Sequence, residues 1–318
     1  MSLLKKINSL YKAQVFNDLI HNKKYKEFFK ELKNFSKDQK LYMESFPATV
    51  ARAVHEYEDD FNNKIIWLNS YNYDDLQIVN KFLNFYFQKS NINFIIDTYE
   101  EEVLKTYRNS NLTKNISFDD FVDFSYFYQW NILNFNQDTH IILNNQIPFF
   151  SSKNNFNFTK PILTHCYIYV VDHPYTVYQK IKNDNDQNSD LARNIFLNLD
   201  GASNIYNSYN SQAEINRQGW HTHVASWKDA NVMNSLRGKI ILKKNLIQNP
   251  YETLSSIIFH FIQSGAHFDM NYEIVEEFIS QNKILKQEIQ IDLSNKEKKF
   301  LDNYIGSLIP EIESIELE

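Results

Sequence analysis

Residues 65–87 read IIWLNSYNYDDLQIVNKFLNFYF. An apolar run comes first, then a short polar loop, then Leu76, Val79, Phe82, Leu83 and Tyr86 spaced three and four apart. This order predicts a buried strand, KIIWLN, feeding a helix from Asp74 to about Gln88. A helix entered in this way is a natural place for an anion, because its first turn exposes unpaired N–H groups and a partial positive charge. Yet the loop Ser70-Tyr71-Asn72-Tyr73-Asp74-Asp75 has no glycine and no lysine, and it carries two carboxylates. All five glycines, Gly201, Gly219, Gly238, Gly265 and Gly306, lie beyond residue 200. Phosphate loops need glycine for positive φ and close backbone approach, so the first two hundred residues hold no glycine-rich phosphate loop.

On the N-terminal side, Leu4, Ile7, Leu10, Tyr11, Val15, Leu19 and Ile20, then Phe28, Phe29, Leu32 and Phe35, fall at helical spacing around a corner at Asn22-Lys23-Lys24. Residues 1–62 are expected to form a helical extension ahead of an α/β domain over 63–318. On the C-terminal side, Thr98 and Glu101 have capping-box spacing before EEEVLKTYR, and 118–135 reads as helix. Extended runs are expected at 146–151, 165–171 and 239–242. Pro174 opens a helix at N1, NDNDQNSD (183–190) is a polar loop, and helical patterns recur at 220–229, 252–264, 271–281 and 295–306. Strands alternating with helices imply a parallel sheet covered on both faces.

Composition narrows the function classes. A formal net charge of −6 without a basic block argues against nucleic acid as a partner. No run of about 20 apolar residues offers a membrane span, and MSLLKKINSLYKAQVF lacks the apolar core of a secretory signal. The single cysteine, Cys166, lies in the apolar run HCYIYVV, which excludes a disulfide framework and fits a reducing, cytoplasmic setting.

Four stretches, IIWLNSY (65–71), FTKPILTHCYIYVVDHPYTVYQ (158–179), GWHTHVASW (219–227) and KIILKKNLIQNPYETLSSII (239–258), together and in this order resemble the sulfotransferase family, whose sulfate donor is 3′-phosphoadenosine 5′-phosphosulfate (PAPS). The first resembles its strand before the donor loop. The second is similar to its R-D-P segment, the third to its W-x-x-H-V-x-S-W, and the fourth to the strand and helix that follow. The resemblance implies a P-loop-NTPase-like sulfotransferase fold. It also implies which positions should carry the chemistry, and most are substituted. The 5′-phosphosulfate loop falls on Asn72, Tyr73, Asp74, Asp75, Leu76 and Gln77, with Tyr73 in place of the family's lysine and Asp75 in place of its glycine. Ile78 replaces the adenine-stacking tryptophan. The 3′-phosphate positions become Asp172 and Lys180, and Lys153 falls where the catalytic histidine belongs. The Y-E-D motif reads Lys243, Lys244 and Asn245, and the closing R-K-G segment is missing between Lys286 and Leu293.

Two unit charges ~4 Å apart near a protein surface interact by roughly 4 kcal/mol. Losing two cations and gaining Asp74, Asp75 and Asp172 should therefore cost a polyanionic donor several kcal/mol, and each ~1.4 kcal/mol is tenfold in affinity. The expectation is a catalytically impaired homologue with no cofactor, retained for binding or regulation, with the N-terminal helices as a candidate protein-partner surface. The alternatives are a working sulfotransferase using PAPS at an atypical site built on Lys153, Lys180, Lys243 or Lys244, and a transferase with a less anionic donor. No acceptor is read from these residues, because the family's acceptor loops vary. Asp74 or Asp75 is expected to cap the helix in place of the phosphate, which would make Asp74→Ala destabilising.

Several sharper readings lose to plainer ones. His221-x-His223 has no third ligand at useful spacing, so no metal is expected and Trp220, His223 and Trp227 are read as structural. Asp172-His173, adjacent at a strand end, is not expected to work as an acid–base pair, and Cys166 reads as core.

Overall fold

The computed structural model describes residues 64–99, 138–151, 156–199, 218–282 and 291–306. It also describes positions between 14 and 31, Ala53, positions between 125 and 136, and positions between 308 and 311. Its centre is a five-stranded parallel sheet in the order β2-β3-β1-β6-β7. The strands are β1 (Ile65–Ser70), β2 (Phe94–Thr98), β3 (His140–Asn145), β6 (Thr164–Val171) and β7 (Gly238–Leu242), while β4 (Phe150–Ser151) and β5 (Phe156–Asn157) form a small antiparallel pair. A 3₁₀ turn over Tyr73–Leu76 leads from β1 into α1 (Gln77–Lys89). The remaining helices are α2 (Pro174–Asp184), α3 (Ser189–Leu197), α4 (Trp220–Lys228), α5 (Ala230–Leu236), α6 (Lys243–Gln248), α7 (Pro250–Gln263), α8 (Tyr272–Gln281) and α9 (Asn295–Ile305). The chain is an α/β protein, as the alternation of its elements predicts.

β1 is buried along its whole length, which a strand covered on both faces must be. Successive residues serve opposite layers. Ile65, Trp67, Ile141, Leu143, Tyr167, Tyr169, Ile240 and Leu242 face a core filled by residues of α2, α4, α5 and α9. Ile66, Leu68, Ile142, Cys166, Ile168, Val170 and Ile241 face a second core under α1, α7 and α8. Cys166 is wholly buried there, and burial pushes its thiol up to about 12, so it is core as expected. Phe16, Ile20, Phe28 and Ala53 belong to the first core. The described positions at 14–16 and 18–21 are helical, the chain turns at Asn22-Lys23, and Phe16 meets Phe28 edge-on across that corner at 5.5 Å.

Not every element was foreseen. β2 and β3 occupy segments with no strand expectation, and the extended run expected at 146–151 shrinks to β4, because β3 ends at Asn145. The polar loop expected at 183–190 narrows to 185–188, because α2 runs to Asp184 and α3 begins at Ser189, with the Asn188 side chain accepting from Leu191 N. The helices expected at 98–108 and 118–135 fall largely outside the described residues, although 125, 126 and 128–133 are helical. Among the described residues no helix is long and apolar enough to cross a membrane.

Candidate functional site

The connection leaving β1 runs to one side of the sheet, to β2, while the one leaving β6 runs to the other, to β7. Neighbouring strands that diverge in this way open a crevice at their C-terminal ends, where open α/β sheets place ligands. Asp75 enters this crevice from the turn after β1, Asp172 stands immediately after β6, Lys180 comes from α2, and Lys243 is the first residue of α6, directly after β7.

These four side chains close on one another. Lys180 Nζ donates to Asp75 Oδ1 and to Asp172 Oδ2, both at 2.8 Å. Lys243 Nζ donates to the same two oxygens at 2.6 and 3.0 Å. Positive and negative groups therefore alternate around a ring whose formal charges cancel. The carboxylates form its floor, with Asp75 at 1% exposure and Asp172 at 8%, and the lysines form its mouth, at 17% and 18% of their side chains. Burial raises the proton affinity of Asp75 against the pull of Lys243 and Lys180. At Asp172 burial also opposes ionisation, but Lys243 and Lys180 outweigh it and hold the carboxyl below its ordinary range. The two carboxyls move in opposite directions because Asp75 lies deeper and its Oδ2 has no hydrogen-bond partner among the described residues. Burial also opposes the charge on Lys180, and the two carboxylates more than reverse that, raising its pKa.

The expected helix cap is corrected by this arrangement. Neither the 3₁₀ turn nor α1 receives a side-chain cap, Asp74 is exposed, and its Oδ1 accepts from Gln77 Nε2 at 2.9 Å. Asp75 is neutralised by lysines rather than by helix amides. Of the other loop positions, Asn72 is half-buried and its carbonyl accepts from Ser70 Oγ and Asp75 N. Tyr73 packs against the core under α1, Leu76 is part of that core, Gln77 is exposed and Ile78 is half-buried. Lys244 is exposed and stands outside the ring. Lys153 and residues 283–290 lie outside the described residues.

His223 and His221 turn to different partners. His223 is fully buried, Tyr169 Oη donates to its Nδ1 at 2.7 Å, and its Nε2 donates to the Gln146 carbonyl at 2.7 Å, an arrangement one ring proton satisfies. His221 instead turns to Tyr304, ring to ring at 5.6 Å. Among the described residues no group of three or more His, Cys, Asp or Glu could hold a metal. The Asp172 and His173 side chains each accept from a backbone amide. Asp172 Oδ1 accepts from His173 N, and His173 Nδ1 caps α2 by accepting from Tyr175 N. Trp220 stacks on Phe196, and Trp227 Nε1 donates to the Ile147 carbonyl, so both are packing residues.

Asn69 and Asn145 were not foreseen. They sit opposite each other in β1 and β3, joined by an Asn145 Nδ2 to Asn69 Oδ1 bond of 2.9 Å, and both are fully buried. Asn69 reads as the ordinary polar end of a strand, and Asn145 falls in a segment that reads as loop. No protein-family model matches the chain, and no curated protein matches its sequence.

Proposed function

We propose that this is a sulfotransferase-like protein, with an N-terminal helical extension, whose donor site is closed from within. In this reading it is kept as a binding or regulatory homologue rather than as a transferase. The observation that carries the reading is the Asp75–Lys180–Asp172–Lys243 ring at the sheet's switch point. A nucleotide phosphate arriving there would find both lysines engaged and two carboxylates beneath them. To bind, it would have to displace a buried carboxylate from two ammonium groups, leaving that carboxylate uncompensated. The active-sulfotransferase alternative draws on Lys153, Lys180, Lys243 or Lys244, and of these Lys180 and Lys243 already serve Asp75 and Asp172.

Calorimetric titration of the full-length protein with 3′-phosphoadenosine 5′-phosphate should show no binding up to about 1 mM, weaker than about −4 kcal/mol. Labelled PAPS should transfer no sulfate. A dissociation constant below about 10 µM, near −7 kcal/mol, would overturn the reading.

A further inference from the structure

The opposite, N-terminal end of the sheet gathers histidines that the site does not use. His140 opens β3, His165 stands second in β6, His260 lies in the last turn of α7, and His267 follows that helix. The His140 ring stacks on Phe87 at 6.3 Å and meets Phe268 edge-on at 5.3 Å. His165 Nε2 is buried with no hydrogen-bond partner among the described residues. His260 Nε2 donates to the Arg237 carbonyl at 2.9 Å, since a carbonyl can only accept. Arg237, in the left-handed conformation just before β7, donates from Nη1 to the carbonyls of His165 (3.3 Å) and Ser264 (3.0 Å). Three chain segments thus meet here: the entries of β6 and β7, and the end of α7.

Among the described residues, the charged groups acting on these rings share one sign. His267 faces His140, Lys239 faces His260, and Arg237, His140 and Lys64 face His165. Burial first, and these cations second, hold His165 and His260 down at about 4, with only backbone hydrogen bonds opposing. His140 is lowered for the same reasons. The neighbouring Cys166 thiol, pushed up to about 12, stays neutral throughout.

We infer that this end of the sheet is an acid-sensitive clasp, in which protonation of His165 and His260 frees the end of α7 from the entries of β6 and β7. His165 Nε2 has no hydrogen-bond partner in place among the described residues, and Arg237 and Lys64 stand as its cationic neighbours. The opened form takes up protons near the ordinary 6.5 while the closed form resists until about 4, so closure weakens as pH falls through that window and is unaffected above it. Discounting for partial exposure, each histidine should raise the opened population about tenfold between pH 7 and 5.

Hydrogen exchange of the full-length protein, corrected for the intrinsic pH dependence of exchange, tests this at pH 7.5 and 5.0. Peptides covering 164–167 and 260–267 should lose at least about tenfold protection on acidification, while those covering 70–77 and 172–180 should not. The His165→Gln/His260→Gln variant should remove the difference. An equal acid response in that variant, or a uniform loss along the chain, overturns the inference. Should the variant not fold, an imidazole titration of the wild type decides: a His165 midpoint well below 6 supports the clasp, and one at or above 6 refutes it.

Discussion

Asp75→Ala is expected to lower stability by about 3 kcal/mol, because it leaves two ammonium groups facing one carboxylate at a nearly closed site. Removing one partner of a buried ion pair costs ~3–5 kcal/mol. The lower end applies here, since Lys180 and Lys243 keep 17% and 18% of their side chains exposed and can turn toward water. For a domain of this size the change corresponds to a fall of roughly 5 °C in Tm. The pair Asp75→Ala/Lys180→Met should recover most of the loss, because Lys243 and Asp172, 3.0 Å apart, then form a neutral pair by themselves. Thermal unfolding of the two variants measures both quantities. A single variant as stable as wild type, or a double variant whose losses simply add, would show that the ring does not act as a unit. Asp74→Ala provides the contrast: its carboxylate is exposed and, among the described residues, bonded to Gln77, so a change within about 0.5 kcal/mol is expected.

The ring also has a mixed response to acid. Asp172, with its folded pKa lowered, contributes stability above the ordinary carboxylate range that is lost as pH falls through its folded value. Asp75, with its folded pKa raised, acts in the opposite sense. The two partly cancel, so acid lability should first appear among the histidines at the other end of the sheet.

What was legible in the sequence, and what was not, follows from how locally each feature is encoded. β1, β6 and β7 stood out because buried parallel strands are runs of apolar residues. α2 stood out through Pro174 at N1. β2 and β3 did not: FIIDT is only half-buried at the sheet edge, and HIILNN ends in asparagines that read as loop. Asp75, Asp172, Lys180 and Lys243 were singled out one by one as substituted positions. Their closure into a ring was not readable, since Lys243 lies 168 residues from Asp75 and only the pairing of β7 beside β6 brings it there. The sequence thus showed that the site is acidic, and the fold shows that it is also neutralised. That difference moves the destabilising substitution from Asp74 to Asp75.

Gly238→Ala is expected to cost about 3–5 kcal/mol, and the reason is space rather than backbone conformation. In the sheet register Gly238 stands opposite Tyr167, and a Cβ added at Gly238 would run into the Tyr167 ring and hydroxyl. Tyr167 has no room to yield. It is fully buried, its ring meets Trp227 edge-on at 5.0 Å, and its hydroxyl donates to the Trp227 carbonyl. Overpacking a tight core costs ~1–3 kcal/mol, and turning the ring aside would strand a buried hydroxyl for a further ~1–3 kcal/mol. The alternative, a shift of β7, would carry Lys243 with it, because that residue follows Leu242 directly at the strand's end. That shift would reach the ion ring. Combining Gly238→Ala with Tyr167→Leu should therefore cost at least ~1 kcal/mol less than the sum of the single changes, since the smaller side chain vacates the space the new methyl needs. Denaturant unfolding of the four proteins gives the coupling. A Gly238→Ala protein within about 0.5 kcal/mol of wild type would mean that β7 does not lie against Tyr167 in this register, and the placement of Lys243 in the ring would fall with it.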